Sequence, residues 1–251
     1  FRLTDNIRMI QEGNIPDIKK VNYEKLGRYD KNPFKEYQKN KKTLNIDVKM
    51  ETGTGKTYCY TKLMYELHKN YNFNKFIILV PSVPIKEGTK KFIKSDYAVE
   101  HFRDSYKGVS LKLEILDAQK QKKGKKVFPQ SINDFSRGTR LEKGKINCLL
   151  MTGNMLLSKK TMEKDYDQVL FGTHTVPTEV LRETKPIVII DEPHKFKRDN
   201  KAYQYLIEKI EPQAVIRFGA TFPKDEKTGI IDYENLVYNL NSIEAFNNNL
   251  V

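Results

Sequence analysis

Eight consecutive residues, Met50-Glu51-Thr52-Gly53-Thr54-Gly55-Lys56-Thr57, set two glycines, a lysine and a hydroxyl in an order that suits phosphate chemistry. Gly53 and Gly55 permit a tight turn whose N–H groups point inward at an anion. A helix beginning here adds the positive end of its dipole. Lys56 can then reach the β- and γ-phosphates of a nucleoside triphosphate, and the Thr57 hydroxyl can take a place on Mg²⁺. One position departs from the P-loop pattern, which has Gly where Met50 stands. The competing reading is a glycine-rich turn that only starts a helix, and a Gly-x-Gly-Lys-Thr between a strand and a helix argues against it.

A second group of chemically capable residues is Asp191-Glu192-Pro193-His194, delivered by the apolar run Pro186 to Ile190. Ligands of open α/β sheets bind at the carboxyl ends of the strands, so Asp191 is expected to face the phosphate loop. There it can hold Mg²⁺ through the ion's water shell, opposite Thr57. Glu192 is placed to orient or deprotonate the water that attacks the γ-phosphate. The alternative is a surface acid pair at a strand end. His194 is expected to sense the γ-phosphate or to couple the site to Gly219-Ala220-Thr221, whose hydroxyl can bond to the site as the nucleotide changes state. His68, His101 and His174 show no partner in the sequence and receive no role.

The elements that must position these residues follow from periodicity. Leu44 to Lys49 reads as a strand. Tyr60, Leu63, Met64 and Leu67 recur at helical spacing and form one apolar face lying on a sheet. Phe76 to Val80 is a strand buried on both faces, ended by Pro81, with Ser82 to Gly88 running into a second helix. Leu111 to Leu116 alternates as a strand does, and the rhythm returns at Ile146 to Met151, followed by Thr152-Gly153-Asn154. Residues 160 to 185 read as an insertion, a helix is expected over Lys201 to Ile210, and Ala214 to Phe218 forms the last core strand. Strand, phosphate loop, helix and strand make the doubly wound pattern: an α/β three-layer domain with a mostly parallel central sheet. Residues 1–43 form an N-terminal polar segment, partly helical, ahead of the 44–251 domain.

Composition narrows the class. The 251 residues suffice for one large domain. The longest apolar run, Phe76 to Val80, is far too short to span a bilayer, and no signal-peptide pattern opens the chain, so a cytoplasmic protein with no membrane role is expected. Cys59 and Cys148 are too few for a disulfide framework or a zinc site and read as buried small hydrophobes. The net charge of +13 favours polyanionic partners. Gln119 to Lys126 holds five lysines, a run best read as a solvated loop that could also lie on DNA phosphates.

Met-Glu-Thr-Gly-Thr-Gly-Lys-Thr, Ile-Ile-Asp-Glu-Pro-His and Phe-Gly-Ala-Thr-Phe resemble motifs I, II and III of superfamily 2 helicase-like motors. The wording is closer still to the restriction subunit of type III restriction–modification enzymes, whose second motif ends in Pro-His. The segments Asn74 to Ser82, Ile85 to Gly88, His101 to Asp104 and Glu244 to Asn247 share that likeness, which runs from about residue 44 onward. The resemblance implies the first RecA-like motor domain of such a subunit. ATP phosphates would lie on Gly53, Thr54, Gly55, Lys56 and Thr57, Mg²⁺ on Thr57 and Asp191, and hydrolysis on Glu192, with Lys56 and His194 in the catalytic set. Segments around Ser82 and from Thr152 to Asn154 would touch the backbone of double-stranded DNA. A modification methyltransferase subunit would supply sequence recognition.

The resemblance also implies a second motor domain with an arginine finger, and a nuclease domain, beyond Val251. The opening at Phe1 rather than Met agrees with a piece of a longer protein, poorly active alone. An adenine-reading Gln would be Gln38 or a residue upstream; as a lone Gln in a polar stretch, Gln38 reads first as an exposed side chain. Two other functions remain open: the motor of another superfamily 2 helicase or remodeller, and a nucleotide-binding switch that does not hydrolyse. Glu192 argues against the switch, which needs no water-activating acid.

Overall fold

The computed structural model describes residues 43–118, 127–137, 144–171, 174–224, 231–240 and 242–248. The N-terminal polar segment as far as residue 42, with Gln38, and the lysine run Gln119–Lys126 lie outside the described residues.

The described residues form a seven-stranded sheet in the order β3-β4-β2-β5-β6-β1-β7. The strands are β1 (Leu44–Met50), β2 (Lys75–Val80), β3 (Ser110–Ile115), β4 (Lys145–Thr152), β5 (Ile187–Asp191), β6 (Ala214–Gly219) and β7 (Leu236–Leu240). Every strand pairing is parallel. A parallel sheet needs crossovers that cover both faces, so its central strands read as unbroken apolar runs. Phe76–Val80 and Ile187–Ile190 do so, and all of them are buried.

Side chains alternate between two helical layers. One face carries Phe76, Ile78, Val80, Cys148, Leu150, Ile189 and Phe218 against α1 (Lys56–Tyr71), α2 (Val83–Ile93) and α3 (Asp96–Ser105). The other carries Ile77, Leu79, Leu149, Met151, Val188, Ile190 and Val215. It packs on α4 (Gln130–Arg137), α5 (Gly153–Leu156), α6 (Lys159–Met162), α7 (Pro177–Glu183) and α8 (Lys201–Tyr205). A last helix, α9 (Ser242–Asn247), follows β7. This is the three-layer RecA-like arrangement, with the carboxyl ends of β1 and β5 on one edge.

Four details differ from the sequence expectation. The sheet does not end at Ala214–Phe218: β7 adds a strand beside β1. A five-residue edge strand whose middle is partly exposed carries no long apolar run to mark it in sequence. Residues 160–185 are no insertion, since Met162, Tyr166, Val180 and Leu181 are core residues. The short α6 and α7 carry too few apolar turns to show a period. The helical face of α1 is rotated, with Tyr60, Thr61, Met64, Tyr65 and His68 buried and Leu63 and Leu67 on its flanks. Tyr65 stacks on Phe102 of α3, ring centroids 4.9 Å apart, which turns that aromatic inward. Cys148 is fully buried as expected, but Cys59 is only half-buried. The helix over Lys201–Ile210 is present and ends as a π-helical turn, Leu206–Ile210, where the Glu211 N–H donates to the Leu206 carbonyl at 3.2 Å.

One polar feature crosses the core. Asp47 of β1 and Arg217 of β6 are both fully buried, and Arg217 donates to the two carboxylate oxygens at 2.6 and 2.9 Å. Arg217 also bonds to the Asp232 carboxylate at 3.0 Å. Arg198 continues the chain of ions, to Asp232 at 2.7 and 2.9 Å and to Glu234 at 2.8 Å.

Candidate nucleotide site

The turn after β1 takes the shape its glycines allow. Gly53 and Gly55 have φ of 87° and 86°, a left-handed conformation that L side chains rarely adopt. Thr54 steadies the turn by donating its hydroxyl to the Glu51 carbonyl at 2.7 Å. Gly55 caps α1, so the first N–H groups of that helix open toward the sheet edge. Met50 is 4% exposed and packs into the core as the last residue of β1, which accounts for its place in the motif: the chain is still strand there.

Lys56 leaves the first turn of α1, and Glu192 leaves the end of β5. Their side chains meet at 3.4 Å, Lys56 Nζ to Glu192 Oε1. The other carboxylate oxygen, Oε2, lies 3.4 Å from His194 Nδ1. Glu192 therefore stands between a lysine and a histidine. Its backbone is left-handed, φ 58° and ψ 66°, an uncommon state for a residue with a side chain. The Glu192 N–H donates to the Phe218 carbonyl at 3.0 Å, tying this bend to β6.

Asp191 is 5% exposed, and its Oδ1 has no hydrogen-bond partner among the described residues. Burial pushes its carboxyl up to about 6, and the neighbouring Glu192 adds to the rise, while Lys56 and a backbone hydrogen bond oppose it. A buried carboxylate with an orphaned oxygen suits a cation. The described residues contain no cluster of three or more His, Cys, Asp or Glu placed to hold a metal by themselves.

The third expected group joins through packing. A Cβ on Gly219 would lie 2.4 Å from Pro193 Cδ, so the proline ring rests directly on the Gly219 backbone. Pro193, not the His194 ring, makes this contact, because His194 is turned toward Glu192. Thr221 is exposed, and among the described residues no hydrogen bond joins its hydroxyl to His194. Ser82 and Asn154 stand on the same sheet edge, at the ends of β2 and β4. Thr152 uses its hydroxyl to cap α5, accepting from the Met155 N–H at 3.3 Å. Phe196, which no sequence pattern marks, has its ring 2.7 Å from where a Cβ of Gly153 would be. That approach exists only through space, and no local pattern encodes it.

Residues 8–224 match the family described as type III restriction enzyme, res subunit. The chain belongs to that family. It is similar to the StyLTI Res subunit of Salmonella typhimurium, 46% identical over 217 residues, covering 82% of this chain and 22% of that protein. The EcoP15I Res subunit of Escherichia coli is 42% identical over 214 residues, 84% of this chain and 21% of its own length. The EcoPI Res subunit of Escherichia phage P1 is 40% identical over 259 aligned positions, 100% of this chain and 24% of that protein. The chain thus spans less than a quarter of the length of these Res relatives. A weak backbone likeness, TM-score 0.49 at 14% identity over 86% of this chain and 19% of the other, is found to a nuclease-deletion mutant of the Type ISP restriction–modification enzyme LlaGI in complex with a DNA substrate mimic. Among the described residues no helix is long and apolar enough to cross a membrane.

Proposed function

We propose that residues 44–251 are the first RecA-like motor domain of a cytoplasmic type III restriction enzyme, binding ATP with Mg²⁺ and hydrolysing it to drive switching and movement along double-stranded DNA before cleavage. A modification methyltransferase subunit is its partner in sequence recognition. The observation that carries the reading is the 3.4 Å approach of Lys56 to Glu192, beside the orphaned Asp191 carboxylate. Two segments 135 residues apart in sequence bring a lysine and two acids to one glycine-turn edge.

The chain's own residues divide the work. Backbone N–H groups of Gly53 to Thr57 cradle the phosphates, and Lys56 neutralises the β- and γ-phosphates. Thr57 and Asp191 hold Mg²⁺, which when bound neutralises phosphate charge as a Lewis acid. Glu192 accepts the proton of the attacking water, whose oxygen bonds to the γ-phosphorus as the bond to the bridging oxygen breaks, leaving ADP and phosphate. His194, whose Nδ1 lies 3.4 Å from the Glu192 carboxylate and has no hydrogen-bond partner among the described residues, is placed to turn either to that carboxylate or to the γ-phosphate. Pro193 passes changes at Glu192 to Gly219, Ala220 and Thr221 through its contact with Gly219. Ser82, Thr152 and Asn154 meet the DNA backbone.

Binding tests this site apart from turnover. A fluorescent, non-hydrolysable ATP analogue titrated onto the Lys56→Ala protein should bind about tenfold or more weakly, since hydrogen bonds to charged groups are worth about 1.5–3 kcal/mol. Unchanged affinity would remove Lys56 from the site.

A further inference from the structure

We propose that Phe196 is a positioning residue that carries the state of the nucleotide site to the Thr152–Asn154 segment. The idea rests on the functional reading above, in which Glu192 acts on nucleotide and Thr152–Asn154 meet DNA.

The residues from Glu192 to Phe196 are tied together by two backbone hydrogen bonds. The Lys195 N–H donates to the Glu192 carbonyl at 3.0 Å, and the Phe196 N–H to the Pro193 carbonyl at 2.9 Å. This 3-10 turn is wedged between two glycines. Its Pro193 ring rests on Gly219, and its Phe196 ring rests on Gly153, where an added Cβ would lie 2.7 Å from Cε1 and 3.3 Å from Cζ. Phe196 is 3% exposed, so its ring cannot swing into solvent to relieve a displacement. Beyond the turn, Arg198 is held by Asp232 and Glu234, which restrains the far end.

On the other side of the contact, Gly153 stands between Thr152, which caps α5, and the exposed Asn154. α5 is a single short turn that packs against α8, where Ala202 Cβ would lie 3.7 Å from the same added atom. A shift of the left-handed Glu192 backbone therefore presses the Phe196 ring on Gly153 and tilts the turn that presents Asn154. Close-packed interiors change between discrete arrangements rather than deforming smoothly, so such a contact transmits a small movement. The absence of a side chain at Gly153 lets the ring reach the backbone itself.

The test is nucleotide turnover with and without duplex DNA in the full-length protein, for Phe196→Leu, Gly153→Ala and the double variant. Thermal midpoint and DNA affinity by fluorescence anisotropy are measured alongside. Phe196→Leu should keep basal turnover and DNA affinity within about twofold and lose about fivefold or more of the stimulation by DNA, the scale of a modest coupling free energy; Gly153→Ala, inside the segment that meets DNA, should lose stimulation to the same degree whatever its DNA affinity. In the double variant the shorter leucine makes room for the new Cβ, and stimulation should return toward wild type. Should Phe196→Leu not fold, Phe196→Met is measured in its place. Full stimulation in the single variants overturns the proposal, as does a proportional fall of basal turnover, DNA affinity and stimulation in the Phe196 variant. A wild-type protein that neither binds nor turns over ATP contradicts the nucleotide-site reading instead.

Discussion

Replacing Asp191 with Asn should stabilise the metal-free protein at neutral pH. The carboxyl is 5% exposed and is raised from its ordinary 3.8 to about 6. In the unfolded chain it ionises near 3.8; in the folded chain it keeps its proton up to about 6. Folding therefore becomes less favourable as pH rises between those values, and above about 6 the full cost is present. A rise of about two units is worth about 3 kcal/mol. Asparagine has no charge to desolvate, so Asp191→Asn should gain up to that amount at about pH 7.5 and nothing near pH 3.5. The figure is a ceiling, because the amide still faces the place where Oδ1 has no partner. For a domain of this size about 3 kcal/mol corresponds to about 6–12 °C in Tm. Circular-dichroism melts of metal-free wild type and variant between about pH 4 and pH 8 give the comparison. Adding Mg²⁺ should narrow the gap by stabilising the wild type alone. A gap independent of pH, or an Asn variant that melts lower at pH 7.5, would refute the reasoning.

Two further substitutions probe the frame around the site. Gly219→Ala places a Cβ 2.4 Å from the Pro193 ring, a rigid neighbour. Overpacking of that kind costs about 1–3 kcal/mol. ATP turnover should fall with it as Glu192 is displaced, and a steady-state assay beside urea unfolding shows whether both move. Asp47→Ala leaves the fully buried Arg217 guanidinium without its main partner. A broken buried pair costs about 3–5 kcal/mol, and Asp232 should hold the loss to the lower end. A change in unfolding free energy under about 1 kcal/mol would contradict the pairing.

Much of the site was legible because its chemistry is written in consecutive residues. Gly53 to Thr57 and Asp191-Glu192 each depend on a local bend, and the unbroken apolar runs before them announce buried parallel strands. What stayed hidden depends on partners distant in sequence. Asp47 reads as a polar interruption of a strand until Arg217, at the matching register of β6, is seen opposite it. β7, Leu-Val-Tyr-Asn-Leu, has its three middle residues partly or fully exposed, so it lacks the long buried apolar run of a central strand. The rotation of α1 follows from aromatic stacking with α3, which period alone does not contain. His194, read from sequence as a γ-phosphate sensor or a link to Gly219-Ala220-Thr221, lies beside Glu192, while the proline before it occupies the space above Gly219.

The most direct measurement is a paired assay on Glu192→Gln in the full-length protein: Mg²⁺-dependent ATP binding, and phosphate release. Gln keeps the shape of Glu192 but cannot accept a proton, and it ends the ion pair with Lys56. The account predicts binding at least as tight as wild type, with phosphate release lowered by about a hundredfold or more, the scale of a lost general base. Phosphate release at the wild-type rate would contradict the assignment of Glu192 as the residue that activates water.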